Sequence, residues 1–296
     1  MKTITLFLAC ASALQAQVLA PAMIVKSDGD ADRVWIEAAS AKTIRYRESP
    51  KSLNRKDAPL RTVSLQFFTP IEYSTALEFF ENRNYKEAQP AFATAREKYK
   101  FTKDVPGNFS VLAGFYEMEC ARKLGNYEEM EALFGKFIPD TLLLETQKTQ
   151  LELYPLYNAV RSQDWPRLNI LCEEWVDRKV PGKLRAQIEY CYGLALEGLG
   201  QLENALIAFN KAFVADYAAS EIITKKAALA CFGIYNKHPD VALARKLHGT
   251  PDEDPNSQGA LLLVEASALV DLWNSALGRG DKLPDEYKAF LKFKKS

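Results

Sequence analysis

The chain has 296 residues, 38 basic and 38 acidic side chains, 48% hydrophobic and 26% charged residues, and two histidines. Such apolar content excludes wholesale disorder, and the length favours about two domains. Balanced charge excludes the basic surplus of a nucleic-acid binder, and two histidines leave little for imidazole-based metal or acid–base chemistry.

Residues 1–16 read as a secretory signal peptide. Lys2 supplies the charged start, residues 4–14 an apolar core, and Leu14-Gln15-Ala16 a small-residue exit. The core is too short to span a bilayer. Phe7-Leu8-Ala9-Cys10 resembles a bacterial lipobox with Phe7 off pattern. No later stretch reaches the roughly 20 apolar residues of a membrane helix. GALLLVEASALVDLW, at 259–273, comes nearest and is interrupted by Glu265 and Asp271. The expectation is an exported chain, periplasmic or secreted, with no integral membrane segment after processing.

Residues 17–70 read as a β-rich module, and from Met23 to about Pro70 the pattern alternates with a period of two, as half-buried strands do. Val34 and Ile36 face one way, Trp35 and Glu37 the other; Ile44 and Tyr46 oppose Thr43, Arg45 and Arg47; Val63, Leu65 and Phe67 alternate with Ser64 and Gln66. Asp28-Gly29-Asp30 supplies turn chemistry, and Ser49-Pro50 opens a polar loop. The pattern predicts a small antiparallel β-module of three or four strands. Its first strand lies near 22–26, and so small a piece leans on the chain beyond residue 70 for its core.

Residues 71–296 are helical in pattern, and the pattern repeats. In the stretch 73–95, Tyr85, Ala88, Phe92 and Ala95 come after a short turn; in 191–213, Leu202, Ala205, Phe209 and Ala212 stand at identical spacing, with Gly193 in the preceding helix. Degenerate copies carry Tyr127-Met130-Phe134-Phe137, Trp165-Leu168-Cys172-Trp175 and Val241-Ala244-His248. This resembles the tetratricopeptide repeat family, whose unit is about 34 residues against roughly 40 between anchors here. The resemblance covers about 71–247 and implies an α-solenoid of antiparallel helix pairs. Small residues let neighbouring helices approach while the aromatic fills the gap between layers, and one pair alone cannot bury its apolar face. Pro155 is expected to kink the stretch 146–161 or to start a new helix there. Past Pro255, 259–277 reads as another helix. Residues 286–295 read as a short final one, with Lys288, Lys292, Lys294 and Lys295 as a solvated cap.

The catalytic inventory is thin. Asp28, Asp30 and Asp32 hint at a calcium loop, but Arg33 and Ala39 stand where an EF-hand needs glycine and glutamate. His238 and His248 are too far apart for one helix face to hold zinc, which gives them surface or packing roles. Cys120, Cys172, Cys191 and Cys231 fall at apolar helix positions. An oxidising compartment permits a disulfide, with Cys172 and Cys191 the best pair. The carboxylate pairs Glu128-Glu129 and Glu173-Glu174 point in different directions on their helices and, with Asp252-Glu253-Asp254, read as solvated faces and a loop. The reading is therefore non-enzymatic, with no cofactor and no metal.

The repeat resemblance implies a partner surface on the first helices of each pair, here Tyr73, Phe80, Phe115, Tyr116, Tyr154, Tyr157, Arg161, Gln187 and Tyr190. Tyrosine and arginine suit interfaces, although most such rings are expected to pack between helices. The expected function is a scaffold binding another polypeptide, in cell-envelope assembly. The alternatives are a helical-toroid enzyme or carbohydrate-binding protein, and a structural oligomerisation module.

Overall fold

The structure, a computed structural model, describes residues 18–27, 29–215 and 221–294. The signal peptide, the lipobox, Asp28 and Lys295 lie outside the described residues. The fold is mostly helical, with a five-stranded antiparallel sheet near the amino terminus. It divides into two compact units, Met1–Leu124 with Ala132–Glu145, and Gly125–Glu131 with Thr146–Ser296.

In the first unit the strands are β1 (Ala20–Lys26), β2 (Ala31–Ala39), β3 (Thr43–Arg47), β4 (Lys56–Pro59) and β5 (Val63–Phe67). Their spatial order is β4-β3-β2-β1-β5. One face buries Ala22, Ile24, Val34, Ile36 and Ile44 against Tyr99 and Val105, so the sheet shares its core with the helical chain after it. Two expectations need correction. The strand count exceeds three or four because β4, within the stretch read as a polar loop, pairs Ala58 with Ile44 and Asp57 with Arg45. Glu37 does not face outward with Trp35: a register shift between Ile36 and Ala38 breaks the alternation, and Glu37 is buried. Its carboxylate meets Arg47 at 2.8 Å and Arg55 at 3.0 Å, which satisfies the charge the bulge encloses.

The helices α1 (Ile71–Glu81), α2 (Tyr85–Lys98) and α3 (Phe109–Leu124) complete this unit's core. Arg83, at φ +63°, makes the tight turn between α1 and α2. The repeat residues Ala88, Phe92 and Ala95 are fully buried. The helix α4 (Tyr127–Phe134) starts in the second unit and ends in the first, and Phe137 of the degenerate copy lies beyond its end.

In the second unit the chain forms α5 (Glu145–Glu152), α6 (Tyr154–Ser162), α7 (Trp165–Glu173), α8 (Gly182–Gly198), α9 (Leu202–Ala215), α10 (Glu221–Lys237), α11 (Pro239–Leu247) and α12 (Gln258–Leu272). Consecutive helices pack on one another from α6 to α12. Pro155 starts α6 rather than kinking a longer helix, because Pro is tolerated in the first turn where no N–H partner is needed. Side chains cap the starts of α7, α11 and α12: the Asp164 carboxylate accepts from Arg167 N–H, His238 Nδ1 from Asp240 N–H, and Ser257 Oγ from Ala260 N–H.

The reading of 259–273 as falling short of a membrane helix needs correction: the run from α12 continues through one π-turn to Leu277, and its 20 residues are long and apolar enough to cross a membrane by length and composition. Its buried face, Leu262, Leu263, Ala266, Leu269, Val270 and Trp273, packs on α10, α11 and the C-terminal segment, as a core helix does. The final helix is shorter than expected: α13 (Asp285–Lys288) passes into a 3-10 turn, Ala289–Phe293, that buries Phe290 completely.

Candidate functional sites

Three places in the two units combine chemistry-bearing side chains. The first is an aromatic cluster in the first unit. Tyr73 from α1 lies 4.8 Å from Phe109, and Phe80 lies 5.0 Å from Tyr116. Tyr116 in turn stacks on Phe92 at 5.3 Å and meets Phe115 edge-on at 5.3 Å. Tyr73 and Phe115 are buried, Phe80 and Tyr116 half-buried. Burial pushes the hydroxyls of Tyr73 and Tyr116 above the ordinary tyrosine range, so both are neutral hydrogen-bonding groups. Against this cluster, the Lys123 ammonium lies 5.5 Å from the Phe80 ring centre and 5.3 Å from that of Tyr85.

The second is a polar network in the second unit. Gln150 and Gln187 exchange two amide hydrogen bonds, at 3.0 and 2.9 Å, and Tyr157 O–H donates to Gln187 Oε1 at 2.7 Å. The second Gln187 N–H donates to Lys183 O, so this buried amide uses all four of its hydrogen-bonding positions. Tyr154 is buried as well, and Tyr190 rests on Phe209 with ring centres 6.0 Å apart. Of the five side chains expected at a partner surface here, only Arg161 is exposed, and it pairs with Glu131 at 2.7 Å.

The third carries no sequence motif. A cavity of about 590 Å³ opens between α11, the 248–257 loop, α12 and the C-terminal 3-10 segment. Its wall is apolar: Leu243, Ala244 and Leu247 from α11, Ala260, Leu263 and Val264 from α12, with Pro255 and Phe293. Its charged lining carries both signs, Asp240, Glu253 and Asp254 against Lys292 and Lys294. Gly259 places α12 hard against α11, since a Cβ there would collide with the Asp240 carbonyl.

At the cavity the His248 ring lies 2.8 Å from Glu253 Oε1 through Nδ1 and meets Phe293 edge-on at 4.9 Å. Glu253 Oε2 accepts from Gly249 N–H at 2.7 Å. That backbone donor, followed by His248, holds the carboxyl below the ordinary glutamate range. The other histidine, His238, is buried. Its Nδ1 accepts from Asp240 N–H at 3.3 Å, and its Nε2 lies 3.3 Å from Glu203 Oε1.

Among the described residues, no group of three or more histidine, cysteine or acidic side chains is placed to hold a metal ion. Compared with known proteins, the chain matches no family model, no curated protein and no solved structure. The sites stand on their own geometry.

Proposed function

We propose that this chain is an exported, tetratricopeptide-like helical-repeat protein that captures a polypeptide partner, with the α11–α12 cavity seating an apolar anchor residue. The cavity carries the reading: its size falls in the range of ligand pockets, and its apolar wall with a mixed-charge lining suits a peptide segment. Leu243 on its lining is 57% exposed, apolar area left for a partner to cover. The repeat reading draws support from the complete burial of Ala205, Phe209 and Ala212, matching Ala88, Phe92 and Ala95. Selection of a random displayed-peptide library tests the proposal. The expected result is an enriched motif with an apolar anchor whose binding falls at least tenfold in Leu243→Asp, a change at an exposed position. No enrichment, or binding indifferent to the substitution, overturns it.

One observation favours a second reading, an enzyme in the same cavity: Glu253 orients the His248 imidazole as a general base requires. The nearby hydroxyl, Ser257, is engaged with Asp254 O and Ala260 N–H, so the nucleophile in this reading would be water. Hydrolysis of p-nitrophenyl acetate that disappears in His248→Gln supports this reading; equal rates in both proteins reject it.

A further inference from the structure

We propose that β5 pairs edge to edge with β5 of a second copy of this chain, joining two five-stranded sheets into one. The proposal stands apart from the α11–α12 cavity, which lies in the second unit. β5 ends the sheet and has a neighbouring strand, β1, on one flank only. Phe68 N–H donates to Pro21 O at 3.0 Å, which makes these two residues a hydrogen-bonded pair. Such pairs alternate along an antiparallel ladder, so Gln66 with Met23 and Ser64 with Val25 are the next ones. Leu65 and Phe67 therefore turn their N–H and C=O groups away from β1, toward the open edge. Among the described residues, no turn, loop or side-chain hydrogen bond reaches these groups. Val63 faces the same way, gives its N–H to Leu60 O and keeps its C=O at the edge.

The opposite edge of the sheet is built against pairing. Leu60 N–H donates to Lys42 O at 2.8 Å, and by the same alternation Asp57 and Pro59 are the outward residues of β4. Pro59 has no N–H to offer, and the Asp57 carboxylate holds Arg45 at 2.9 Å, so proline and charge guard that side. β5 reads Val63-Ser64-Leu65-Gln66-Phe67 and has neither guard. Exposed apolar surface continues from its end, with Phe68 40% and Ile71 73% exposed.

A second copy fits this edge because the strand is complementary to itself. The outward groups belong to Val63, Leu65 and Phe67, so antiparallel pairing of two β5 strands sets these residues against one another. With Leu65 opposite its counterpart, the two exchange both backbone hydrogen bonds, and each Phe67 N–H reaches the other copy's Val63 C=O. Val63 then faces Phe67 on the half-buried side and Ser64 faces Gln66 on the exposed side. The strand is uncharged, so no like charges are brought together. The contact uses the same patch on both copies and closes at two.

Sedimentation velocity on the full chain over a dilution series, with amide hydrogen exchange read at Leu65 and Phe67, tests this. The expected result is a two-copy species whose share grows with concentration, and exchange at both amides that slows as it forms. Ser64→Lys with Gln66→Lys, both at exposed positions, sets like charges opposite each other and should weaken association by about tenfold or more. Ser64→Glu with Gln66→Glu should do the same. Mixing the two double variants should restore a mixed dimer, which neither a folding defect nor an unrelated interface would give. A monomer at every concentration with both amides fast overturns the proposal and leaves the edge to a different protein. A monomer with both amides slow at every dilution overturns it too, because a segment of this chain would then cover the edge. So does a dimer that both double variants leave intact.

Discussion

Gly193 and Phe209 stand so close that a Cβ on Gly193 would sit 2.5 Å from the ring's Cδ1 and Cε1. Gly193 lies buried in the middle of α8 and Phe209 is fully buried on α9, so bare helix backbone is the wall the ring packs against. Glycine within a helix forfeits about 0.5–1 kcal/mol relative to alanine. Overpacking a tight core costs about 1–3 kcal/mol, which outweighs that gain. Gly193→Ala is therefore expected to lower the urea midpoint with an unchanged slope. Gly233, within α10, provides the contrast, because nothing stands within 4 Å of its Cβ position. Gly233→Ala should raise the midpoint by about 0.5–1 kcal/mol worth of stability. Midpoints that rise for both variants would show that Phe209 yields freely.

Gln187 links α8 to α5 and α6 through Gln150 and Tyr157. Tyr157→Phe removes one donor while Gln187 Oε1 keeps its bond from Gln150, a loss of about 1 kcal/mol. Gln187→Leu deprives both the Gln150 amide and the Tyr157 hydroxyl of a buried partner and should cost about 2–4 kcal/mol. The double variant is expected to lose less than the sum, because both changes remove the same Tyr157–Gln187 hydrogen bond. Denaturant unfolding of the four proteins measures this, and strict additivity would rule out the coupling.

The helix pairs are legible in the sequence because Ala88-Phe92-Ala95 and Ala205-Phe209-Ala212 place small and aromatic residues on the face that each helix buries. Pro155 is legible for a similar reason, since its ring forbids a helix interior and accepts a helix start. The strand β4 is not: Lys56-Asp57-Ala58-Pro59 has one apolar residue on its inner face, and backbone pairing to β3 holds it at the edge. Nor is the burial of Glu37, which results from a one-residue register shift with no local signature. Tyr154, Tyr157 and Tyr190 fall on the helices the repeat resemblance indicates, but helix period alone does not say which faces neighbouring helices cover. The cavity escapes sequence reading because its lining comes from two helices and a returning C-terminal turn. Its one local trace is the polar loop between two apolar helices, where His248 and Glu253 stand five residues apart.

Cys120, Cys172, Cys191 and Cys231 are all buried and outside any disulfide, including the pair for which an oxidising compartment would permit a bridge. Burial pushes the Cys120 thiol up to about 12, and those of Cys172 and Cys231 higher still, so almost no thiolate exists near neutral pH. Native protein at pH 8 is expected to leave these four unmodified by Ellman's reagent over minutes. After unfolding in guanidinium without reductant, all four should react. If Cys172 and Cys191 label only after reduction, they are bridged in the isolated protein.

Glu253 ties the loop after α11 to itself, accepting from Gly249 N–H at 2.7 Å and meeting His248 at 2.8 Å. Both contacts need the carboxylate, and they hold its pKa below the ordinary glutamate value of 4.5. A group whose pKa is depressed by folding stabilises the fold above its unfolded value and loses that contribution as pH falls through the folded value. The tether is therefore complete at neutral pH and released only in acid. An NMR titration of the Gly249 amide should show a single step with its midpoint below 4.5. In Glu253→Gln the acid step should vanish, because the amide side chain cannot titrate there. A step at or above the ordinary glutamate value, or one that survives the substitution, would mean that the Gly249 amide reports another group and that the cavity's rim is held by something other than Glu253.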